Sequence, residues 1–69
     1  MERISVSSSN ISSIGYDEDS CTLEVQFNSG AIYQYFDIPL EIYNGIMQAG
    51  SAGQFFAQQI KGYYRFVKI

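Results

Sequence analysis

No histidine and no tryptophan occur in these 69 residues, there is a single cysteine and a single proline, and only four side chains carry positive charge. The missing histidine removes the usual base for a Ser, Thr or Cys nucleophile and the usual His/Cys zinc site. No glycine-rich phosphate loop is present either, so catalysis has little to work with. One thiol, Cys21, cannot close an internal disulfide, and a secreted domain this short ordinarily needs such staples; a reducing cytoplasm is the expected compartment. Met1-Glu2-Arg3-Ile4-Ser5-Val6 has neither the basic start nor the apolar segment of a secretory signal. No run approaches the ~18 apolar residues of a membrane span, so no membrane partner is expected. Four cations against seven acids leave a net charge of −3, which opposes whole-surface attraction to nucleic acid or anionic lipid.

What is present is apolar and aromatic: 46% hydrophobic and 16% aromatic residues, with 6 Tyr and 5 Phe. That composition folds, as one small domain over residues 1–69, and each aromatic ring can bury roughly 150–250 Å². Charge is unevenly placed. Arg3 is the only cation among residues 1–60, which hold all the acids, whereas Lys61, Arg65 and Lys68 crowd the last nine residues without one. An anion is therefore expected at the C-terminal end.

The clearest local signal is strict alternation from Cys21 to Phe27, with Cys21, Leu23, Val25 and Phe27 on one face and Thr22, Glu24 and Gln26 on the other. Asn28-Ser29-Gly30 suits a three-residue hairpin loop with glycine in the left-handed conformation. That loop pairs Phe27 with Ala31, Val25 with Tyr33 and Leu23 with Tyr35. Upstream, Ile4 to Ser7 and Ile11 to Tyr16 form one interrupted strand or two short ones, broken by a turn or bulge at Ser7-Ser8-Ser9. Downstream, Pro39 fits the first position of a helix running to Ala49, with Gly50 as its C-terminal cap. Ser51-Ala52-Gly53-Gln54 has capping-box spacing and opens a second helix to about Lys61, ended by Gly62. Tyr63 to Ile69 fits either a helical turn or an edge strand.

Taken in order, Ile14-Gly15-Tyr16-Asp17, Thr22 to Phe27, Gly30, Tyr33-Gln34-Tyr35, Ile38-Pro39, Tyr43, Ala49 to Gly53 with Phe55-Phe56, and Ile60 with Tyr63-Tyr64 resemble the KTSC domain. That small family is named after a segment at the C-terminus of some lysyl-tRNA synthetases and also occurs as free-standing bacterial and phage proteins. Its central Tyr-x-Tyr mark is matched by Tyr33 and Tyr35. The resemblance implies an unassigned molecular function, with RNA binding suggested by the synthetase connection, and it carries over no catalytic or cofactor residues.

Tyr33 and Tyr35 read either as core residues with hydroxyls at the rim or as a platform on which bases stack. Lys61-Gly62-Tyr63-Tyr64-Arg65-Phe66-Val67-Lys68 reads either as a helix end followed by a charge-protected edge strand, or as the interleaved cations and rings of a single-strand binder. Ile32 and Phe36, on the hairpin's other face, are candidates for a protein partner. Asp17-Glu18-Asp19 lacks the glycine and distal glutamate of a calcium loop and reads as a solvated turn; no metal is expected. Cys21 reads as a small core residue.

The expected fold is α+β: a small antiparallel sheet of about three strands over residues 3–36, covered on one face by two short helices over residues 39–61. The expected function is a binding module rather than an enzyme, with no cofactor, for RNA or a nucleotide-like ligand. Its candidate ligand-binding residues are Tyr33, Tyr35, Lys61, Tyr64, Arg65 and Lys68. The alternatives are a protein-interaction or assembly module and a phage-type protein that sequesters a soluble nucleotide signal. Small size and residual apolar surface lead to the expectation of a homo-oligomer.

Overall fold

The computed structural model describes residues 1–69, and its centre is the hairpin that the alternation predicts. Strands β3 (Thr22–Phe27) and β4 (Ile32–Tyr35) pair Val25 with Tyr33 and Leu23 with Tyr35. The Phe27 N–H donates to the Ala31 carbonyl at 2.9 Å, and Gly30 closes the loop at φ +96, where an L side chain would be strained. Strand β2 (Ile11–Asp17) lies against the other side of β3. Its register slips between Ile11 and Ser13, so Ser12 is the extra residue of a bulge within the ladder. The serine run itself belongs to the connection from β1 (Ile4–Ser5).

Five strands form the sheet, not about three, in the order β1-β2-β3-β4-β5 with every neighbouring pair antiparallel. The additional strands are the two-residue β1 and β5 (Phe66–Lys68). Both fall in segments that the sequence leaves open as short strands, and both are too short for a period-2 pattern to decide. The C-terminal segment is thus an edge strand, not a helical turn.

Helix α1 (Leu40–Gln48) begins one residue later than the sequence suggests: Pro39 is its N-cap, extended at ψ 155, and its carbonyl accepts from Ile42. An extended Ala49 ends it, so Gly50 has no left-handed capping role. Helix α2 (Ala52–Gln59) starts as its capping spacing predicts, with the Gln54 N–H donating to Ser51 Oγ at 3.2 Å. Gly62, at φ +85, turns the chain out of it toward β5. Both helices cover the sheet face that carries Ile14, Leu23, Val25 and Tyr35, and Ile38, Ile46, Phe56 and Ile60 complete a buried core. The Tyr16 and Tyr43 rings stack at 4.7 Å, and the Tyr16 hydroxyl donates to the Ile38 carbonyl at 2.6 Å. Burial, followed by the contact with Cys21, raises the Tyr16 phenol above its ordinary range.

The other face of the sheet is also covered, by the chain's own first residues. Met1-Glu2-Arg3 crosses Gly15 so closely that a Cβ there would lie 2.6 Å from the Glu2 carbonyl oxygen. Arg3 then donates to Ser13 Oγ and to the carboxylate of Glu24, while Gln34 Nε2 donates to the second Glu24 oxygen at 2.9 Å. Glu24 is only 5% exposed. Burial alone would raise its carboxyl, but the hydrogen bonds from Gln34 and Arg3 and the guanidinium charge outweigh that and hold it below the ordinary value.

Two further expectations are corrected on this side. Cys21 does not sit on the core face of β3; it occupies the preceding turn at φ 55, half-buried, with its thiol toward the Glu18 carbonyl. Ile32 and Phe36 are half-buried, and the Arg65 guanidinium lies 5.3 Å from the Phe36 ring centroid, so they do not form an open apolar patch. No helix is long and apolar enough to cross a membrane.

Candidate functional site: an aromatic groove

Two short helices cannot roof a five-stranded sheet. Nine and eight residues span only about 12–14 Å each, and the strip of β4 and β5 beyond α2 is left open. There a groove of about 830 Å³ runs across the helix-bearing side of the sheet. Tyr33, Tyr35 and Phe66 form its floor, with Tyr33 and Tyr35 ring centroids 6.4 Å apart and Phe66 within 5.8 Å of both. Phe56 of α2 meets the floor edge-on, 5.3 Å from Tyr35 and 5.4 Å from Phe27. The aromatic cluster is therefore fixed by mutual packing before any ligand arrives.

Helix α2 gives the groove a direction. At its start a Cβ on Gly53 would lie 2.2 Å from Asn10 Oδ1, which puts the first turn of the helix beside the connection between β1 and β2. At that end Asn10 and Asn28 line the groove, tied together by the Asn28 N–H donating to the Asn10 carbonyl at 2.8 Å and Asn28 Nδ2 donating to the Ser9 carbonyl at 3.0 Å. At the other end, just past the last turn, Lys61 and Gly62 line it. Lys68 stands directly opposite Tyr33 in the β4–β5 ladder, so its side chain leaves the sheet on the groove face.

The six candidate residues divide accordingly. Tyr33, Tyr35 and Lys61 come together around the groove, and Lys68 shares its face. Tyr35 is buried and Tyr33 half-buried, so the pair serves as core and as floor at once. Tyr64 packs against the core and Arg65 is turned away. The alternation that points Phe66 into the groove sends Arg65 to the opposite face, where it rests on Phe36 and lies 3.6 Å from Asp37. Phe27, Phe56, Phe66, Asn10 and Asn28 line the groove without having been singled out as ligand-binding. Phe66 lies in the aromatic tail; the asparagines carry no sequence signal, because only the packing of the β1–β2 connection between α2 and the hairpin loop brings them there.

Comparison with known proteins adds lineage to this geometry. The family model of the KTSC domain matches residues 7–64. The chain belongs to the KTSC family. A crystal structure of a KTSC domain protein from Yersinia pestis superposes with a TM-score of 0.96 at 46% identity, covering 99% of this chain and 96% of that one. An uncharacterised protein of Stutzerimonas stutzeri is 40% identical over all of this chain and 99% of its own length. A lysine–tRNA ligase of Nostoc sp. is 37% identical over 54 residues, which are 78% of this chain and 10% of the ligase. The KTSC fold thus occurs both as nearly the whole of a small protein and as a tenth of a much larger one. Its molecular function is unassigned, and no catalytic activity is attached to it.

Within this KTSC domain the groove offers stacking and charge, not reaction chemistry. Burial, with a smaller contribution from neighbouring Tyr33, raises the Tyr35 phenol above its ordinary value, so Tyr35 offers an uncharged ring with a hydroxyl at neutral pH. No carboxylate lines the groove. An anion reaching Lys61 therefore meets no opposing side-chain charge among the lining residues.

Proposed function

We propose that this KTSC domain is a non-catalytic binding module whose groove takes a ligand combining a flat aromatic ring with an anionic group, as RNA and nucleotides do. The observation that carries the reading is the union, in one acid-free groove, of the Tyr33-Tyr35-Phe66 floor with Lys61 on the rim. Stacking on such a floor contributes about 1–3 kcal/mol per base and tolerates any base. The match to a segment of lysine–tRNA ligases supports the same ligand class. Binding of labelled single-stranded RNA and of nucleotides, followed by fluorescence anisotropy at low salt, tests it. Tyr33→Ala and Lys61→Ala weaken binding and Arg65→Ala does not; equal loss in all three, or no binding at all, refutes the groove.

A second reading is favoured by one observation: Tyr63, Phe66, Val67 and Ile69, four exposed large hydrophobics, gather on and beside the free edge strand β5. An exposed apolar edge is a template for strand addition. On this reading β5 pairs with a second copy or another protein, and the domain is a homo-oligomer or assembly module. Light scattering that finds only monomer at high micromolar concentration, with no change on Val67→Lys, removes the self-association version.

A further inference from the structure

We infer, building on the edge-strand reading above, that β5 pairs with β5 of a second copy about a two-fold axis at Val67, and that each copy thereby sets its Lys68 beside Phe66 in the other's groove. The first ground is the direction of the backbone groups. The Phe36 N–H donates to the Arg65 carbonyl and the Ile69 N–H to the Ile32 carbonyl, both at 2.9 Å, so the main-chain groups of Arg65, Val67 and Ile69 turn toward β4. In an antiparallel ladder those of the intervening residues turn the other way. The N–H and C=O of Phe66 and Lys68 therefore face outward, where no further strand follows. With the axis at Val67, Phe66 and Lys68 stand opposite Lys68 and Phe66 of the second copy, and each pair exchanges both of its hydrogen bonds. An axis at Lys68 instead sets ammonium against ammonium, and an axis at Phe66 sets Lys68 against Tyr64, which lies before the strand begins.

The second ground is what the side chains then meet. Val67 packs on its own copy on the far face, Arg65 stands opposite Ile69, and Lys68 stands opposite the Phe66 ring, so each cation faces an apolar side chain. The two Lys68 are diagonal neighbours about 7–8 Å apart where they leave the strands, on stems long enough to splay the ammonium groups. Phe66, Val67 and Ile69, all exposed in the single chain, come under cover together. A two-fold axis normal to the sheet keeps both grooves on one side of it. The floor of Tyr33, Tyr35 and Phe66 then continues into that of the second copy, and each groove holds its own Lys61 and its neighbour's Lys68. Because the same strand is used by both copies, assembly stops at two.

The test compares Val67→Cys with Ile69→Cys under mild oxidation, both in a Cys21→Ser background that leaves no other thiol. Across the axis the two copies of residue 67 have Cα atoms about 4.5 Å apart, within the reach of a disulfide. The two copies of residue 69 are offset by about 13–14 Å along the strands. Val67→Cys should therefore form a covalent dimer at least about tenfold faster than Ile69→Cys. Light scattering should find the unmodified chain passing from monomer to dimer, and no further, between low and high micromolar concentration. Lys68→Pro removes an outward N–H and spares the ladder to β4; it should abolish that dimer with an unchanged far-UV circular dichroism spectrum. A dimer that survives Lys68→Pro, or in which Cys at 67 links no faster than Cys at 69, overturns this pairing and leaves self-association standing. Open-ended growth beyond a dimer overturns the two-fold axis. A chain that stays monomeric at high micromolar concentration, with neither cysteine linking, overturns the pairing and self-association together.

Discussion

Arg3 and Glu24, twenty-one residues apart in sequence, meet on the face of the sheet that carries no helix, and with the guanidinium over its carboxylate Glu24 is only 5% exposed. The pair ties the first residues of the chain to the middle of the central strand. Removing Arg3 leaves Glu24 buried with only Gln34 as a donor, and breaking such a charged contact costs roughly 2–3 kcal/mol once partial exposure of Arg3 is allowed for. Arg3→Ala should lower stability by about that amount in urea denaturation, with an unchanged m-value.

The same carboxylate makes stability depend on pH in a defined direction. Its folded value lies below the ordinary 4.5, so its contribution is complete above that pH and is lost as pH falls through the lowered value. Wild-type stability should therefore drop between neutral pH and pH 3 by more than that of Glu24→Gln, in which this carboxyl cannot titrate. Parallel pH profiles for the two proteins would contradict the assignment.

Gly15 is required by the backbone that crosses it, not by its own torsions. A Cβ there meets the Glu2 carbonyl at 2.6 Å and Arg3 Cγ at 3.0 Å, and a backbone atom cannot rotate aside. Gly15→Ala should displace residues 1–3, cost at least as much as losing Arg3, and raise hydrogen exchange at the amide of Val6, which donates to the Ser12 carbonyl. If exchange at Val6 is unaltered, the first residues do not hold that position in solution.

Gly53 makes the contrasting case, since its Cβ would meet Asn10 Oδ1 at 2.2 Å and Ser8 Oγ at 3.1 Å, both ends of exposed or half-buried side chains. Those atoms can rotate away. Gly53→Ala should change stability by less than about 1 kcal/mol in urea denaturation; a loss of several kcal/mol would show that Asn10 does not give way.

Sequence and structure agree best where the pattern is local. The β3–β4 hairpin, its register and Gly30 follow from alternation and one turn, and α2 follows from the Ser51 cap. The resemblance to the KTSC domain extends this to nearly the entire chain, as the family match over residues 7–64 bears out. What could not be read is what depends on distant partners. Glu24 looks like a solvent-facing residue of an amphipathic strand, and only the return of Arg3 across Gly15 buries it. Arg65 looks like a ligand contact beside Lys61 and Lys68, but a strand sends neighbouring side chains to opposite faces, and once β5 is a strand with Phe66 inward, Arg65 must point away. Asn10 and Asn28 join the groove only because the β1–β2 connection packs between α2 and the hairpin loop.

The account rests on the helix-bearing side of β4 and β5 being the surface that binds, and chemical-shift mapping of the uniformly labelled protein during titration with ADP tests this directly. The predicted result is saturable shifts concentrated at Phe27, Tyr33, Tyr35, Phe56, Lys61, Phe66 and Lys68, with Phe36 and Arg65 undisturbed. Shifts confined to Phe36, Arg65 and their neighbours on the far face, or no shifts at millimolar ADP, would contradict it.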